Sequence, residues 1–374
     1  MEPEELADFL SDPTLAGLNV TIPYKKEVVP FCASLSETAR RLGSVNTLVR
    51  RWDGRWHGDN PDAFGFAHMM KKSGIDPRGK KALVLGSGGA GVTVAAVLRE
   101  LGASVTTISR SGPDHYGNLE RHADAALLVN ATPVGMYPQN GAAPLSLAGF
   151  PALIGVLDLI YNPARTALLL EAERRGIPHL DGLPMLVAQA ARSSALFAGG
   201  AVEEQTIDAV ERALRRSMEN IVLVGMPGCG KSTIAALLAK RLGREAADAD
   251  DLITERHGPI PALFAAEGEA GFRRRETEVL AELGRRSSLV IATGGGAVTR
   301  EENYPLLHQN GRIVWLRRPL ELLPTDGRPL SQAGELAKMY ERRSPLYQRF
   351  ADCTVDNDAA PEETVRRILE VLAL

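Results

Sequence analysis

Short apolar runs separated by polar, glycine-rich turns recur along the chain, and their lengths alternate between strand and helix. Over residues 1–77 the pattern is mixed. Residues 4–10 read as a short helix, residues 18–22 as a strand ending at Pro23, and residues 26–42 as a helix in spite of Pro30. Residues 44–50 and 55–57 flank the turn Trp52-Asp53-Gly54, which predicts a hairpin. Gly58-Asp59-Asn60-Pro61-Asp62 is a polar loop before another apolar helix. From Lys81 the pattern becomes repeated βα units, with strands over residues 82–85, 104–108, 125–129 and 153–157. Helices follow over 184–197 and 203–216. A new series opens with a β-branched run at 221–224, a helix from Lys231, strands at 289–292 and 312–316, and an amphipathic last helix with Val365, Ile368, Leu369 and Leu372 on one face.

This order predicts an α/β protein of more than one domain, which fits 374 residues at roughly 150 per domain. The junction falls near Met218 and has no Pro/Gly/Ser-rich linker. A composition of 44% hydrophobic, 24% charged and 5% aromatic residues agrees with a soluble globular chain. Net charge is −3, which argues against a general nucleic-acid partner. The longest apolar stretch, 82–98, is explained by a dinucleotide fingerprint better than by a membrane span. Three scattered cysteines, Cys32, Cys229 and Cys353, form no C-x-x-C pair and favour a reducing compartment. With no basic and apolar leader at the start, the expected location is cytoplasmic.

Candidate chemistry enters at the glycine clusters. Gly225-Met226-Pro227-Gly228-Cys229-Gly230-Lys231-Ser232-Thr233 fits G-x-x-x-x-G-K-[ST] between a strand and a helix. Such a loop cradles phosphates with backbone N–H groups from Gly228 to Thr233, while Lys231 reaches the β/γ-phosphates and the Ser232 hydroxyl meets Mg²⁺. The strand at 289–292 ends in Thr293-Gly294-Gly295-Gly296, so a further carboxylate for the metal has to come from elsewhere. Asp248-Ala249-Asp250 is the source. On an extended segment alternate residues share a side, so both carboxylates can face the phosphates. One would support the metal and the other would accept a hydroxyl proton. Arg273, Arg328 and Arg343 suit anionic groups, although spacing alone does not select them.

In the first half, Gly86-Ser87-Gly88-Gly89-Ala90-Gly91 follows a strand and opens a helix, the context of a dinucleotide site. The next strand ends in Ser109-Arg110-Ser111, with no carboxylate until Asp114. A cation flanked by hydroxyls suits a 2′-phosphate, so the cofactor is expected to be NADP. The loops Asn130-Ala131-Thr132-Pro133 and Asp158-Leu159-Ile160-Tyr161-Asn162-Pro163 follow strands and are candidate pocket walls. Hydride transfer to a carbonyl needs a proton donor. Lys25 or Lys26, paired with Asp59 or Asp62, can supply one.

The second half resembles shikimate kinase through G-M-P-G-C-G-K-S-T, D-A-D, G-F-R-R, G-G-G-A-V, G-R-P-L and R-S-P-L-Y, in the family's order. That resemblance implies a P-loop kinase with a parallel sheet, similar to nucleoside monophosphate kinases, over residues 218–374. It implies that Lys231 and Ser232 bind ATP phosphates and Mg²⁺, that Asp248 supports the metal, and that Asp250 contacts shikimate hydroxyls as base or orienting group. Arg273, Arg343, Gly295 and Gly296 would hold the carboxylate and ring, and Arg328 would come from a lid that is shorter than usual.

The first half resembles shikimate dehydrogenase through N-V-T-I-P-Y-K, S-V-N-T, G-D-N-P-D, G-S-G-G-A, N-A-T-P-V-G-M, D-L-I-Y-N-P and D-G-L-P-M-L-V-A-Q-A. The resemblance implies a substrate domain over 1–77 and 184–216 and a Rossmann NADP domain over 78–183. It selects Lys25 and Asp62 as the catalytic pair and Thr21, Asn46, Tyr161 and Gln189 for the substrate. For NADP it implies Gly86, Ser87, Gly88, Gly89, Ala90, Ser109, Arg110, Ser111, Thr132, Leu159, Gly182 and Met185. Against the family's layout the chain begins roughly 45 residues late, without an opening S-x-S strand, so the substrate domain is expected to be truncated. The combined expectation is NADPH-dependent reduction of 3-dehydroshikimate followed by ATP-dependent phosphorylation of shikimate. The second reading is an active kinase carrying a non-catalytic docking module.

Overall fold

A computed structural model of the chain describes residues 2–21, 23–323 and 333–374. It divides into two units, Met1–Ala213 and Leu214–Leu374.

The first unit opens with helix α1 (Leu6–Ser11) and strands β1 (Gly17–Asn19) and β2 (Cys32–Leu35). Helix α2 (Glu37–Leu42), strands β3 (Thr47–Arg50) and β4 (Trp56–Asp59), and helix α3 (Pro61–Ser73) follow. The four strands form one sheet in the order β1-β3-β4-β2. β3 and β4 make the expected hairpin, antiparallel with Arg50 opposite Trp56. Leu6, Leu10, Val28, Ala39, Val45, Leu48 and Trp56 form the core on this sheet.

One expected element is absent. Residues 26–42 are not a helix. Pro30 has no N–H to give to a helix and sits in a short 3-10 turn, Val29–Phe31. Cys32–Leu35 instead extends and pairs in parallel with β4, placing Leu35 opposite Gly58. Only after Ser36, whose hydroxyl accepts from Ala39 N at 3.1 Å, does helix α2 begin.

The chain then builds β5 (Lys81–Leu85), α4 (Gly89–Glu100), β6 (Ser104–Ile108), β7 (Leu127–Asn130), β8 (Gly155–Asp158), α5 (Ala167–Arg174) and β9 (His179–Leu180). The five strands are all parallel, in the order β6-β5-β7-β8-β9. Burial on both faces follows the strand period of two. Ala82 and Val84 pack with Phe66, Met69 and Met70 of α3 and Val94 and Leu98 of α4. Leu83 and Leu85 face Leu168 and Leu169 of α5. Helix α6 (Leu183–Ala198) returns against α3. The two approach so closely that a Cβ on Gly65 would stand 2.6 Å from the Met185 carbonyl oxygen.

Helix α7 (Glu204–Met218) contains the division between the units, four residues before the expected cut. Its last turn belongs to the second unit and is bonded within it. Met218 O accepts from Ser288 N at 2.8 Å, and Arg216 O accepts from the Arg244 guanidinium.

The second unit contains β10 (Asn220–Val224), α8 (Lys231–Leu242), β11 (Glu245–Asp248), α9 (Ala249–His257), α10 (Ile260–Arg285) and β12 (Leu289–Ala292). It continues with α11 (Asn303–His308), β13 (Gly311–Arg317), α12 (Ala333–Phe350), β14 (Cys353–Asp356) and α13 (Pro361–Leu372). Its sheet is parallel throughout, in the order β11-β12-β10-β13-β14. Val222, Leu223, Val290, Ile291, Ile313 and Val314 are buried between helices on both faces. Parallel strands all end on one side of the sheet, so the loops after β10, β11, β12 and β14 meet there, the usual place for ligands in open α/β folds. Among the described residues no helix is long and apolar enough to cross a membrane.

Candidate functional site

In the second unit the turn after β10 is a glycine-rich loop leading into α8. Gly225, Gly228 and Gly230 have φ of 153°, 79° and 92°. Lys231, 8% exposed, folds back so that Nζ donates to the carbonyls of Gly225 at 2.9 Å and Met226 at 3.0 Å. Ser232 Oγ donates to Asp248 Oδ2 at 2.5 Å. Asp248 ends β11 and caps α9, with Oδ1 accepting from Asp250 N at 2.9 Å. Asp250 therefore lies in the first turn of a helix, not on an extended segment. The two carboxylates share the site because the cap turns the chain, not because of strand alternation.

These groups line a cleft of about 620 Å³. Pro227, Gly228, Gly230, Lys231, Ser232 and Thr233 form one wall, and Asp248, Asp250, Phe272, Arg273, Glu276, Gly294–296 and Arg343 complete the rest with neighbouring residues. Arg273 Nη1 donates to Glu276 Oε2 at 2.7 Å, one helical turn away on α10. Arg343, 6% exposed, donates from Nη1 to the Gly295 carbonyl at 3.0 Å, and Tyr347 donates to the same oxygen at 2.5 Å. The glycines are there because neighbours crowd them. A Cβ on Gly294 would lie 2.4 Å from Glu276 Oε1 and 2.8 Å from Asp250 Oδ1, and one on Gly296 would fall 2.1 Å from the Arg273 guanidinium.

The cleft is polar and unsatisfied. Among the described residues, Asp250 Oδ1, Glu276 Oε1, Arg273 Nε and Arg343 Nε are buried without a hydrogen-bond partner. Burial, reinforced by Asp248, pushes the Asp250 carboxyl up against the pull of Lys231 and Arg273. Burial does the same to Glu276, against Arg273. The residues fit a bound Mg²⁺. Among the described residues no cluster of three His, Cys, Asp or Glu could hold a metal alone, yet Ser232 and Asp248 offer two oxygens beside the phosphate loop, and Mg²⁺ is normally held by few protein ligands plus phosphate and water.

In the first unit Lys25 Nζ and Asp62 Oδ2 form an ion pair at 2.6 Å, with side chains 20% and 10% exposed. Asp62 is in the first turn of α3, and Lys25 lies in the turn before β2, tied down where its carbonyl accepts from Val45 N at 2.7 Å. The other two candidates are placed differently. Lys26 is exposed. Asp59 is committed to Ser36 Oγ at 2.6 Å, Asn60 N at 2.7 Å and Arg192 Nη2 at 3.0 Å. Among the described residues, Asn46 Oδ1 and Gln189 Oε1 are buried without partners, as a site for hydroxyls requires.

The loops after β7 and β8 enclose a second pocket of about 320 Å³ that includes Ala90, Thr132, Tyr137, Leu159 and Tyr161. Thr132 is held by Asn130 Oδ1 at 2.7 Å, and Asn130 Nδ2 in turn donates to Asp158 Oδ1 at 3.0 Å, so the two walls are bonded to each other. The turn after β5 fits a pyrophosphate. Gly91 is needed where a Cβ would stand 2.0 Å from the Gly86 carbonyl oxygen, and Gly88 and Gly89 leave the start of α4 open. Arg110 is exposed after β6 and makes no ion pair among the described residues, which leaves its charge for a phosphate. Ser109 and Ser111 flank it, and Gly182 and Met185 lie at the start of α6.

A family model for shikimate kinase matches residues 227–373, and one for the shikimate dehydrogenase substrate binding domain matches residues 2–48. The chain is 33% identical over 225 residues to the NADP(+) shikimate dehydrogenase of Moorella thermoacetica, a match covering 54% of this chain and 75% of that protein. It is 43% identical over 161 residues to the shikimate kinase of Thiobacillus denitrificans, covering 40% and 88%. The chain belongs to the shikimate dehydrogenase and shikimate kinase families. Among solved structures, a chorismate mutase/shikimate 5-dehydrogenase fusion protein from Clostridium acetobutylicum matches with a TM-score of 0.54 at 32% identity, over 58% of this chain and 84% of that one.

The dehydrogenase half brings Lys25 to Asp62, but neither residue lines the pocket that holds Thr132, Leu159 and Tyr161. Thr21 is exposed. In the kinase half one cleft gathers every expected residue except two. Cys229 is fully buried, so only its backbone is placed to serve the loop, and Arg328 lies outside the described residues. Sequence reasoning missed Glu276 and Tyr347. Both were findable, since Glu276 follows Arg273 by three positions and Tyr347 follows Arg343 by four, the spacings that put side chains on one helix face.

Proposed function

We propose that the chain is a bifunctional shikimate-pathway enzyme, reducing 3-dehydroshikimate to shikimate with NADPH and phosphorylating shikimate with ATP and Mg²⁺. The observation that carries the kinase step is the single cleft in which phosphate-loop residues face Asp250, Arg273 and Arg343. Shikimate is an anion with three hydroxyls. Arg273 and Arg343 match its carboxylate, and Asp250 Oδ1, unpartnered among the described residues, matches a hydroxyl. ATP supplies the phosphoryl group, and Mg²⁺ offsets its charge. Lys231 and Ser232 hold the phosphates and metal, with Asp248 bracing Ser232. Asp250 takes the hydroxyl proton, a task its raised pKa suits.

The observation behind the reduction is the Lys25–Asp62 pair. NADPH supplies the hydride. Lys25 gives a proton to the oxygen of the reduced carbonyl, and Asp62 orients the Lys25 ammonium through their 2.6 Å ion pair. Asn46 and Gln189 offer buried amide oxygens to the substrate hydroxyls. Three free thiols support a reducing, cytoplasmic location.

A paired assay on the whole chain tests both steps: NADPH oxidation with 3-dehydroshikimate, and ADP release with shikimate. Both activities are expected. ADP release without NADPH oxidation would reduce the first unit to a docking module and overturn that half of the assignment.

A further inference from the structure

Asn357 is the residue immediately after β14, and it is 2% exposed. Its side-chain Nδ2 donates to the carbonyl of Cys229, inside the phosphate loop, at 2.6 Å. A carbonyl can only accept, so the NH₂ end of the amide faces the loop. The other end, Oδ1, accepts from the hydroxyl of Thr364, a fully buried residue of α13, at 2.7 Å. The backbone is fixed as well. Asn357 N donates to Arg317 O at 2.7 Å, and its carbonyl accepts from Arg318 Nη1 at 3.1 Å. The amide is thus held in a fixed direction by β13, β14 and α13, three elements that follow the loop by about a hundred residues in the chain.

A trans peptide holds its C=O and the following N–H in one plane, on opposite sides of the C–N bond and pointing opposite ways. With the Cys229 carbonyl gripped from behind, the Gly230 N–H points the other way, toward the cleft that Gly230 lines and Cys229 does not. Gly230 has φ of 92°, and a Cβ there would stand 3.2 Å from Asn357 Nδ2, so the peptide and the amide are fitted to each other. We propose that Asn357 is a positioning residue for nucleotide binding, fixing the Cys229–Gly230 peptide so that the Gly230 N–H is presented to a bound phosphate. This rests on the reading of the second unit as an ATP-using kinase.

The test is ADP titration of the whole chain by calorimetry, together with steady-state kinetics. Asn357→Asp keeps the shape but sets a carboxylate against the carbonyl, and Asn357→Ala removes the donor without adding charge. Each is measured at a temperature where its circular dichroism matches the parent's. Both are expected to raise the ADP Kd and the KM for ATP by about tenfold, the effect of leaving one buried acceptor unpaired. The KM for shikimate is expected to stay within about twofold, a split that general damage to the unit would not give. Arg367→Ala is the control. It removes bonds to Asp356 O and Asp358 in the same corner and leaves Asn357 in place. Unchanged ADP affinity in the folded Asn357 variants, or equal weakening by Arg367→Ala, overturns the proposal. A parent chain that binds ADP but does not phosphorylate shikimate would instead sink the kinase assignment and leave the Asn357 comparison intact.

Discussion

At the scale of single residues, the kinase cleft is organised around charges that are buried before any ligand arrives. Among the described residues, Asp250, Arg273, Glu276 and Arg343 each keep a buried polar atom unpaired, and holding them so costs stability that a ligand bearing both an anion and hydroxyls would return. Asp250→Asn is therefore expected to lower kcat about 10²- to 10⁴-fold, the usual worth of a positioned base, with ADP binding preserved. Arg273→Ala should raise the KM for shikimate, with a loss of roughly 1.5–3 kcal/mol in kcat/KM for a hydrogen bond to a charged group. A near-normal kcat in Asp250→Asn, or a near-normal kcat/KM for shikimate in Arg273→Ala, would remove that residue from the site. Because the Asp250 carboxyl is pushed up by burial, it must lose its proton at a higher pH than a free aspartate. The acid limb of the kinase rate should then lie at higher pH than for a free aspartate and disappear in Asp250→Asn. In the dehydrogenase half, Arg110 stands exposed with no anionic partner among the described residues, so Arg110→Asp should shift preference from NADP toward NAD. An unchanged ratio of the two kcat/KM values would count against Arg110 as the 2′-phosphate ligand.

Among the elements, α2 and β2 show how a local pattern can be overruled. The apolar spacing of residues 26–42 suits a helix, but Pro30 interrupts it and the open edge of β4 offers paired hydrogen bonds to Cys32–Leu35. Ser36 then does two jobs, capping α2 and donating to Asp59 at 2.6 Å. Ser36→Ala is expected to lower the stability of the first unit by roughly 1–2 kcal/mol in chemical unfolding, with little effect on the second unit's transition. The turn after β12 is the converse case, where local sequence and tertiary demand agree. Three consecutive glycines let the strand end pass beneath Glu276, Asp250 and Arg273. Gly294→Ala should therefore abolish shikimate phosphorylation with the fold retained, because the added carbon falls within 2.4 Å of Glu276 Oε1.

For the whole molecule, the two units have separate cores, and their stabilities respond to different groups. Burial raises the Asp158 carboxyl from 3.8 to about 7, against hydrogen bonds from Thr166, Ile160 N and Asn130. In the unfolded chain the group ionises near 3.8, so the stability tied to its proton is fully present below that pH and is lost as the pH rises to about 7. Thermal unfolding of the chain at pH 5 and pH 8 should show the first unit losing more stability than it does in Asp158→Asn, where no proton is at stake. Equal pH dependence in the two would contradict the buried, protonated carboxyl.

What the sequence determined by itself was the series of strands and glycine turns, the two nucleotide motifs, and the choice of NADP from Ser109-Arg110-Ser111. These are local properties: strand period, the backbone freedom of glycine, and charge within a few residues. Resemblance to known families then selected Lys25 over Lys26 and Asp62 over Asp59, and packing supplies a reason, since Asp59 is already bonded to Ser36 and Arg192. Only the tertiary structure decided the rest. Asp250 reaches the cleft through a capped helix turn that no alternation rule describes. Gly295 receives Arg343 and Tyr347 from about fifty residues away, and Asn357 grips the phosphate loop from across the sheet. Such contacts join segments far apart in sequence, and nothing local records them until parallel strands bring their ends to one side.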